Sequence, residues 1–504
     1  MQPPTTRAAP STRWTSFEDW DYSPMKERLT SALATINKDV ILEHAGRIKG
    51  QKLSMSDPFS AGQYWICFEM VAKDGTLIIA RVRLPRHPDS LWISPEDESY
   101  ALSCEVATMR FVEKKLPAVP VPKVYAYEGH GSELAAKAGA IYMLMEGFYG
   151  NTLMDVAFNM LDLPMATQEH IMTQWTMTQA QLATLTFPQI GSICSIAESG
   201  EPVVGKLSTA AAEGLAIHGP FPSTTEYLSA VGLGALRRAE ARAQTSDGIS
   251  FALLGPRVFL DVVSRGGLID KHDELYPLNH MDLRTQNIIV DEDFNFLAVI
   301  DWEFAQTAPW EVSYYPFPFP LLMSDDEVQS VLRDPEHIAH TNVSRQNAAR
   351  QLYSRKFREA EEKLGMEGRP LERSISGVLD GPFSRIWHCF TRIGGTPSQD
   401  EDMVREVVRL AWGLDKQGVN QYLERLLSAS QRSLPPRLKH PSPYSAVLFH
   451  AVLCWLLRKV RVRIVQVRVC VYAAEDEATS MGLGLLDRMI PTQCQPRTAY
   501  AAGD

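Results

Sequence analysis

Between Leu278 and Ala305 the chain reads LNHMDLRTQNIIVDEDFNFLAVIDWEFA. A histidine, two aspartates and an asparagine stand there at a spacing that suits phosphoryl transfer. Asn287 follows Asp282 by five residues, and Asp301 follows Asn287 by fourteen. In such a set Asp282 can accept the proton of an acceptor hydroxyl. Asn287 offers an amide oxygen and Asp301 a carboxylate, both hard ligands of the kind magnesium prefers. Phosphoryl transfer asks little covalent chemistry of a protein, so a base, metal ligands and a phosphate clamp nearly complete the requirement. His280 has no second histidine at metal-binding spacing, so it reads as a buried support of the loop rather than as a ligand or a base.

The elements around these residues must place them together. Ile288-Ile289-Val290 and Phe296-Leu297-Ala298-Val299-Ile300 are short β-rich runs separated by the polar turn Asp291-Glu292-Asp293-Phe294-Asn295, which predicts a hairpin. Such a ribbon carries Asn287 and Asp301 at the same end. The pattern His280-Met281-Asp282 with Asn287 also keeps the H-x-D-x-x-x-x-N register of a kinase catalytic loop. That short pattern is weak alone, but the hairpin and the Asp301-Trp302-Glu303 ending make chance a poor account of it. Upstream, Gln63 to Glu69 and Thr76 to Leu84 are two further β-rich runs joined by Ala72-Lys73-Asp74-Gly75. Thr167 to Leu185 reads as an amphipathic helix with Ile171, Trp175, Leu182 and Leu185 on its core side.

HMDLRTQNIIVD followed by VIDWEFA resembles the catalytic segment of the aminoglycoside phosphotransferase and choline-kinase-like family. IYMLMEGFYGNTL from Ile141 resembles that family's last N-lobe strand, hinge and passage into the C-lobe. CEVATMRFVEKKLPAVPVPKVYAYE from Cys104 resembles its N-lobe helix and following strand. The likeness runs from about Ser60 to about Tyr315 and is greatest to the fungal members. It implies a two-lobed, protein-kinase-like α+β fold, with a β-rich N-lobe and a mainly helical C-lobe, and an enzyme using ATP and Mg2+.

The resemblance also implies roles for N-lobe residues. Gly62 would precede the phosphate-covering strand, although the chain lacks the G-x-G-x-x-G of protein kinases. Where kinases have V-A-I-K, this chain has Ile79-Ala80-Arg81, so Arg81 would contact the phosphates and pair with Glu105. Arg83 lies on the same strand face and stays an alternative. Glu105 sits in a helical run whose Val106, Met109, Phe111 and Val112 can face a core, so it could equally be a surface carboxylate. Main-chain groups of Met145, Glu146 and Phe148 would meet adenine; side chains there do not separate ATP from GTP, and ATP is the family default. Trp302 and Glu303 would pack or brace the metal loop. An extended insertion from about Cys194 to Tyr276, together with the helices beyond Pro316, would shape the pocket for a small-molecule acceptor.

Composition narrows the remaining classes. A chain of 504 residues with 45% hydrophobic content can bury two lobes, and its net charge of −10 argues against a nucleic-acid partner. Seven scattered cysteines without C-x-x-C spacing fit a reduced, cytoplasmic setting and imply no zinc site. Residues 1–17 read as a disordered leader, 18–147 as the N-lobe, 148–427 as the C-lobe and 428–504 as a dispensable tail. That tail holds an apolar run, Tyr444 to Leu457, too short for a span of about twenty residues. From Arg425 to Ala474 it has no Asp or Glu, and Val460 to Val469 alternates as a strand. A membrane-surface segment, an added β-element and an unfolded extension all suit it. A nucleotide-binding pseudokinase and a protein kinase are the rival readings; the complete Asp282, Asn287 and Asp301 set opposes the first. The lack of Asp-Phe-Gly and Ala-Pro-Glu opposes the second.

Overall fold

The computed structural model describes residues 25–62, 64–85, 93–243, 250–265, 267–269, 275–313, 315–316, 325–395 and 397–433. The expected leader, Gln63 and the tail from residue 434 onward lie outside the described residues. The architecture is α+β, with a β-rich N-terminal lobe followed by a mainly helical one. Among the described residues no helix is long and apolar enough to cross a membrane.

The N-lobe begins with helices α1 (Met25–Thr35) and α2 (Lys38–Lys49), followed by strands β1 (Leu53–Ala61), β2 (Trp65–Ala72) and β3 (Leu77–Arg83). Helix α3 (Pro95–Lys115), β4 (Val124–Glu128), the short α4 (Glu133–Ala138) and β5 (Tyr142–Glu146) complete it. The five strands pair antiparallel in the order β1-β2-β3-β5-β4. Side chains alternate across a strand, so Ile66, Phe68 and Met70 with Ile78, Ala80 and Val82 bury one sheet face against Leu29 and Ile41 of the two leading helices. The intervening positions Cys67, Arg81 and Arg83 fall on the other face. The turn between β2 and β3 is the one the sequence predicts: Gly75 takes φ +82°, and Asp74 accepts the Thr76 amide at 2.9 Å.

Helix α3 starts where Ser94 accepts the Asp97 amide at 3.0 Å, with Pro95 in the first turn. Its later half, from Val106 to Val112, buries in the same core as the catalytic segment. A hairpin of the second lobe grips it as well, β8 (Ser192–Ile196) with β9 (Pro202–Gly205), preceded by β6 (Asn151–Thr152), α5 (Leu153–Val156), α6 (Met165–Ala183) and β7 (Thr186–Phe187). Lys206 meets Asp97 at 2.6 Å near one end of α3, and Glu201 meets Lys115 at 3.2 Å at the other. The helix is thereby tied to both lobes.

The insertion before the catalytic loop folds as helices α7 (Thr224–Ala243) and α8 (Phe251–Arg265), packed through Gly232, where any Cβ would lie 2.7 Å from a Leu260 methyl. Strands β10 (Tyr276–Asn279), β11 (Ile288–Val290), β12 (Phe296–Val299) and β13 (Gln306–Thr307) frame the catalytic segment. Helices α9 (Asp325–Arg333), α10 (His340–Met366), α11 (Ile375–Leu379), α12 (Pro382–Phe390), α13 (Pro397–Trp412) and α14 (Lys416–Ser433) follow. Helix α14 runs through the boundary expected near Leu427. A second core joins α7, α8, α12 and α13 beneath the loop that follows β10.

Candidate active site

The catalytic segment folds as its spacing predicts. β11 pairs antiparallel with β12, Ile288 opposite Val299. The Ile300 amide donates to the Asn287 carbonyl at 2.9 Å, so Asn287 and Asp301 leave the ribbon side by side. At the other end Asp291 accepts the amides of Asp293 and Asn295, closing the polar turn. Gln174 of α6 clamps that turn, donating to the Phe294 carbonyl at 3.0 Å and accepting the Phe296 amide at 2.8 Å. The helix read from the sequence as core thus also fixes the hairpin that carries the site.

Asp282 is held on both oxygens. Asn287 Nδ2 donates to the Asp282 carbonyl at 2.8 Å and to its Oδ2 at 3.1 Å, while Arg284 Nε forms an ion pair with Oδ1 at 2.8 Å. Three residues of this segment take the left-handed backbone that side chains disfavour, Phe294 at φ 62° in the hairpin turn, and Met281 at φ 61° and Asp301 at φ 67° beside Asp282 and Asn287. Such outliers gather at functional positions, where the surrounding structure must hold them. The Asn279 side chain does so for Met281, accepting its amide at 2.9 Å.

His280 is 1% exposed and lies edge-on to Trp302, ring centroids 4.7 Å apart. Its Nε2 donates to the Ile300 carbonyl at 3.1 Å, immediately before Asp301, and Trp302 Nε1 donates to the Val299 carbonyl at 2.8 Å. This is the geometry of a brace. Burial pushes the His280 pKa down to about 4, against the pull of the Asp282 carboxylate. A histidine in an unfolded chain titrates near 6.5. Between about pH 6.5 and pH 4 the unfolded chain therefore binds more protons, and folding stability falls as pH falls; above about 6.5 the contribution is complete. In the His280→Asn variant that acid-side slope is expected to flatten by up to about 3 kcal/mol between pH 7 and pH 4. Urea unfolding at both pH values measures it, and an unchanged slope would count against a buried neutral His280.

On the N-lobe side, Arg81 Nη1 meets Glu105 Oε1 at 2.7 Å and Nη2 lies 3.8 Å from Asp301 Oδ1. The Glu105 side chain is fully buried, which removes the surface-carboxylate alternative, and the guanidinium lies 4.6 Å over the Trp65 ring. Burial works against the Arg81 charge, but the Glu105 and Asp301 carboxylates outweigh it and raise the pKa. Arg83 instead joins Glu98 at 2.6 Å and stacks on Tyr64 and Trp65. Of the two arginines, Arg81 is the one that approaches Asp301. Cys67, opposite Arg81 in the sheet, has its thiol pushed up to about 11 by burial, so it stays protonated.

Gly62 closes the β1–β2 turn, its amide donating to the Trp65 carbonyl at 2.9 Å. At the hinge, Met145 and Glu146 end β5. The Glu146 amide is spent on the Lys123 carbonyl at 2.8 Å and the Gly147 amide on the Leu77 carbonyl at 3.0 Å. Phe148 therefore offers the first hinge amide that a nucleobase could take.

These residues fit a partly hydrated divalent cation. Asn287 commits its amide nitrogen to Asp282, so its carbonyl oxygen is the atom left for a metal. Asp301 does not cap the short helical turn Trp302–Phe304 that it precedes. Among the described residues no group of three or more His, Cys, Asp or Glu is assembled to hold a metal. Phosphate and water oxygens would complete the shell, which is how magnesium is usually held in such sites. Sequence reasoning missed Trp65, Cys67 and Arg284. Arg284 had a readable signal, a cation two residues beyond Asp282.

Residues 91–312 match the model of the phosphotransferase enzyme family, APH. That range contains α3, the hinge, the α7–α8 insertion and the whole catalytic segment. No curated protein sequence matches the chain. Solved structures similar to it include a protein assigned as a fructosamine-3-kinase from Thermobifida fusca, at 15% identity and TM-score 0.40, covering 73% of this chain and 98% of that one. A macrolide 2'-phosphotransferase from Brachybacterium faecium matches at 15% identity and TM-score 0.34, with 80% and 99% covered. An amicoumacin kinase in complex with AMP-PNP and Ca2+ matches at 11% identity and TM-score 0.34, with 81% and 96% covered.

Proposed function

We propose, from the premise that residues 91–312 belong to the APH phosphotransferase family, that this chain transfers the γ-phosphoryl group of ATP to a hydroxyl of a small molecule, with Mg2+ as cofactor. The observation that carries this reading is convergence. Asp282, Asn287, Asp301 and the Arg81–Glu105 pair come from separate elements and are linked in one chain of contacts, none longer than 3.8 Å. Scaffolding alone has no need of that arrangement. In the same reading the N-lobe comprises 18–147 and the C-lobe 148–427, and the subdivision is the fungal one.

The steps follow from the positions. Asp282 takes the proton of the acceptor hydroxyl, whose oxygen forms a bond to the γ-phosphorus as the bond to the bridging oxygen breaks and ADP leaves with that electron pair. Arg81 holds the α- and β-phosphates, and Glu105 keeps its guanidinium in place. Asn287 and Asp301 would hold Mg2+, which, when bound, neutralises charge on the β- and γ-oxygens. Phe148 supports adenine through its amide, and His280 keeps the start of the metal loop against the catalytic loop.

Thermal unfolding with nucleotide tests the binding half of the proposal. At about one hundred times its Kd, Mg-ATP is expected to stabilise the protein by about 2.7 kcal/mol. Chelating the metal, or substituting Asp301→Asn, is expected to remove most of that gain. Protection that is indifferent to Mg2+ and to Asp301 would oppose the metal assignment. Mg-dependent protection without turnover would favour the pseudokinase reading.

A further inference from the structure

Asn279 stands three residues before Asp282, where β10 ends. β10 is the central strand of its three-stranded sheet, and Asn279 is paired there with Gln306 of β13. The Gln306 side chain in turn donates to the buried Tyr227 hydroxyl of α7 at 3.2 Å. The strand end is therefore a fixed point. Directly after it the chain turns sharply: the Asp282 amide donates to the His280 carbonyl at 2.8 Å, closing a three-residue turn with Met281 at its centre at φ 61°. A three-residue turn with positive φ at its centre is the rare, strained kind, and methionine lacks the freedom that glycine would have there. Rotating Met281 back to an ordinary negative φ would swing everything after it, the Asp282 carboxylate first. Two contacts oppose that rotation. Asn279 Oδ1 accepts the Met281 amide at 2.9 Å, and the Met281 side chain packs against the second core.

We infer that Asn279 is a positioning residue for phosphoryl transfer, its side-chain oxygen holding the strained turn that aims the Asp282 carboxylate at the acceptor hydroxyl. This rests on the phosphotransferase reading and adds to it the source of the base's orientation. Asn287 and Arg284 act on the carboxylate itself, whereas Asn279 acts on the main chain that carries it. Proton transfer needs the carboxylate within about 3 Å of the hydroxyl, and a misplacement of about 1 Å can slow a reaction about 100-fold. Nucleotide binding makes no such demand on the turn, because Asn287 and Asp301 leave from the β11–β12 ribbon and Arg81 from β3.

A double-variant cycle across positions 279 and 281 tests this. Transfer of label from γ-³²P-ATP and Mg2+ to a protein-free small-molecule extract, and the calorimetric Kd for Mg-AMP-PNP, would be measured for wild type, Asn279→Ala, Met281→Gly and the two changes together. Asn279→Ala is expected to slow transfer about 10-fold and to leave the AMP-PNP Kd within about twofold of wild type. Glycine takes positive φ unaided, so in the Met281→Gly background the same change is expected to slow transfer by less than about threefold. Urea unfolding reads the same coupling without catalysis, with Asn279→Ala costing less stability beside glycine than beside methionine. If the single alanine variant does not fold, the double variant is still expected to fold, because its glycine needs no support; failure of both would overturn the inference. An equal loss of rate or of stability in the two backgrounds, an unchanged rate in Asn279→Ala, or a parallel loss of AMP-PNP affinity would overturn it and leave the phosphotransferase reading standing. Wild type that transfers no phosphate would overturn both.

Discussion

The Asp282→Asn protein is expected to bind Mg-ATP within a factor of about two of wild type and to turn over about 10²- to 10⁴-fold more slowly. An amide cannot accept the acceptor proton, yet the change alters only one atom of the side chain. The loop around it is held by bonds that the substitution spares, from the Asp282 amide to the His280 carbonyl at 2.8 Å and from the Asn287 side-chain Nδ2 to the Asp282 main-chain carbonyl at 2.8 Å. Depending on how the new amide turns, either Asn287 Nδ2 loses its acceptor or the Arg284 cation faces an NH2 group, a cost of about 1–3 kcal/mol that an adjusted rotamer or water can reduce. Thermal melts and steady-state rates on the same preparation separate the two effects. A slow enzyme that also melts far below wild type would implicate the loop's structure, whereas undiminished turnover would remove Asp282 from the chemistry.

Arg81→Met is expected to damage both stability and nucleotide binding. Removing the guanidinium leaves the Glu105 carboxylate fully buried without its cation, and Glu105 Oε2 already has no hydrogen-bond partner among the described residues. Breaking a buried ion pair from one side costs about 3–5 kcal/mol, because the remaining charge is uncompensated. The double variant Arg81→Met with Glu105→Leu removes both charges and is expected to recover most of that loss, since apolar replacements of buried pairs are often neutral or better. Activity is not expected to return with stability: without a cation on the phosphates the KM for ATP should rise about 10- to 100-fold in either variant. Urea titrations and ATP saturation curves on the single and double variants test this together. A double variant no more stable than the single one, or a normal KM, would contradict the clamp.

Much of the site was legible because its signals are local. The β11–β12 hairpin announces itself through β-branched runs and a polar turn, and its pairing brings Asn287 and Asp301 together whatever the rest of the chain does. The β2–β3 turn and helix α6 were readable for the same reason. Choosing Arg81 over Arg83 was not possible from one strand, since period-two alternation puts both on one face. The choice depends on where α3 lies, with Glu105 opposite one arginine and Glu98 opposite the other. Strand β1 was hidden by Pro58, which the fold tolerates because β1 is an edge strand with an irregular register at that proline. Helices α7 and α8 were obscured by Gly232, Gly234, Gly255 and Pro256. Gly232 and Gly255 sit at close approaches to Leu260 and Ile393, a tertiary reason that no local pattern displays. At the expected hinge, which amide remains for a nucleobase depends on bonds to Lys123 and Leu77, far from it in sequence.

The most direct test of phosphoryl transfer to a small molecule follows the label itself. The protein is incubated with γ-³²P-ATP, Mg2+ and a protein-free small-molecule extract, and the products are separated by size and charge. Label is expected to enter non-nucleotide small molecules in proportion to the ADP formed, to require Mg2+, and to enter about 10²- to 10⁴-fold more slowly with Asp282→Asn. Label that enters protein instead, or that reaches small molecules equally well with Asp282→Asn, would contradict the account.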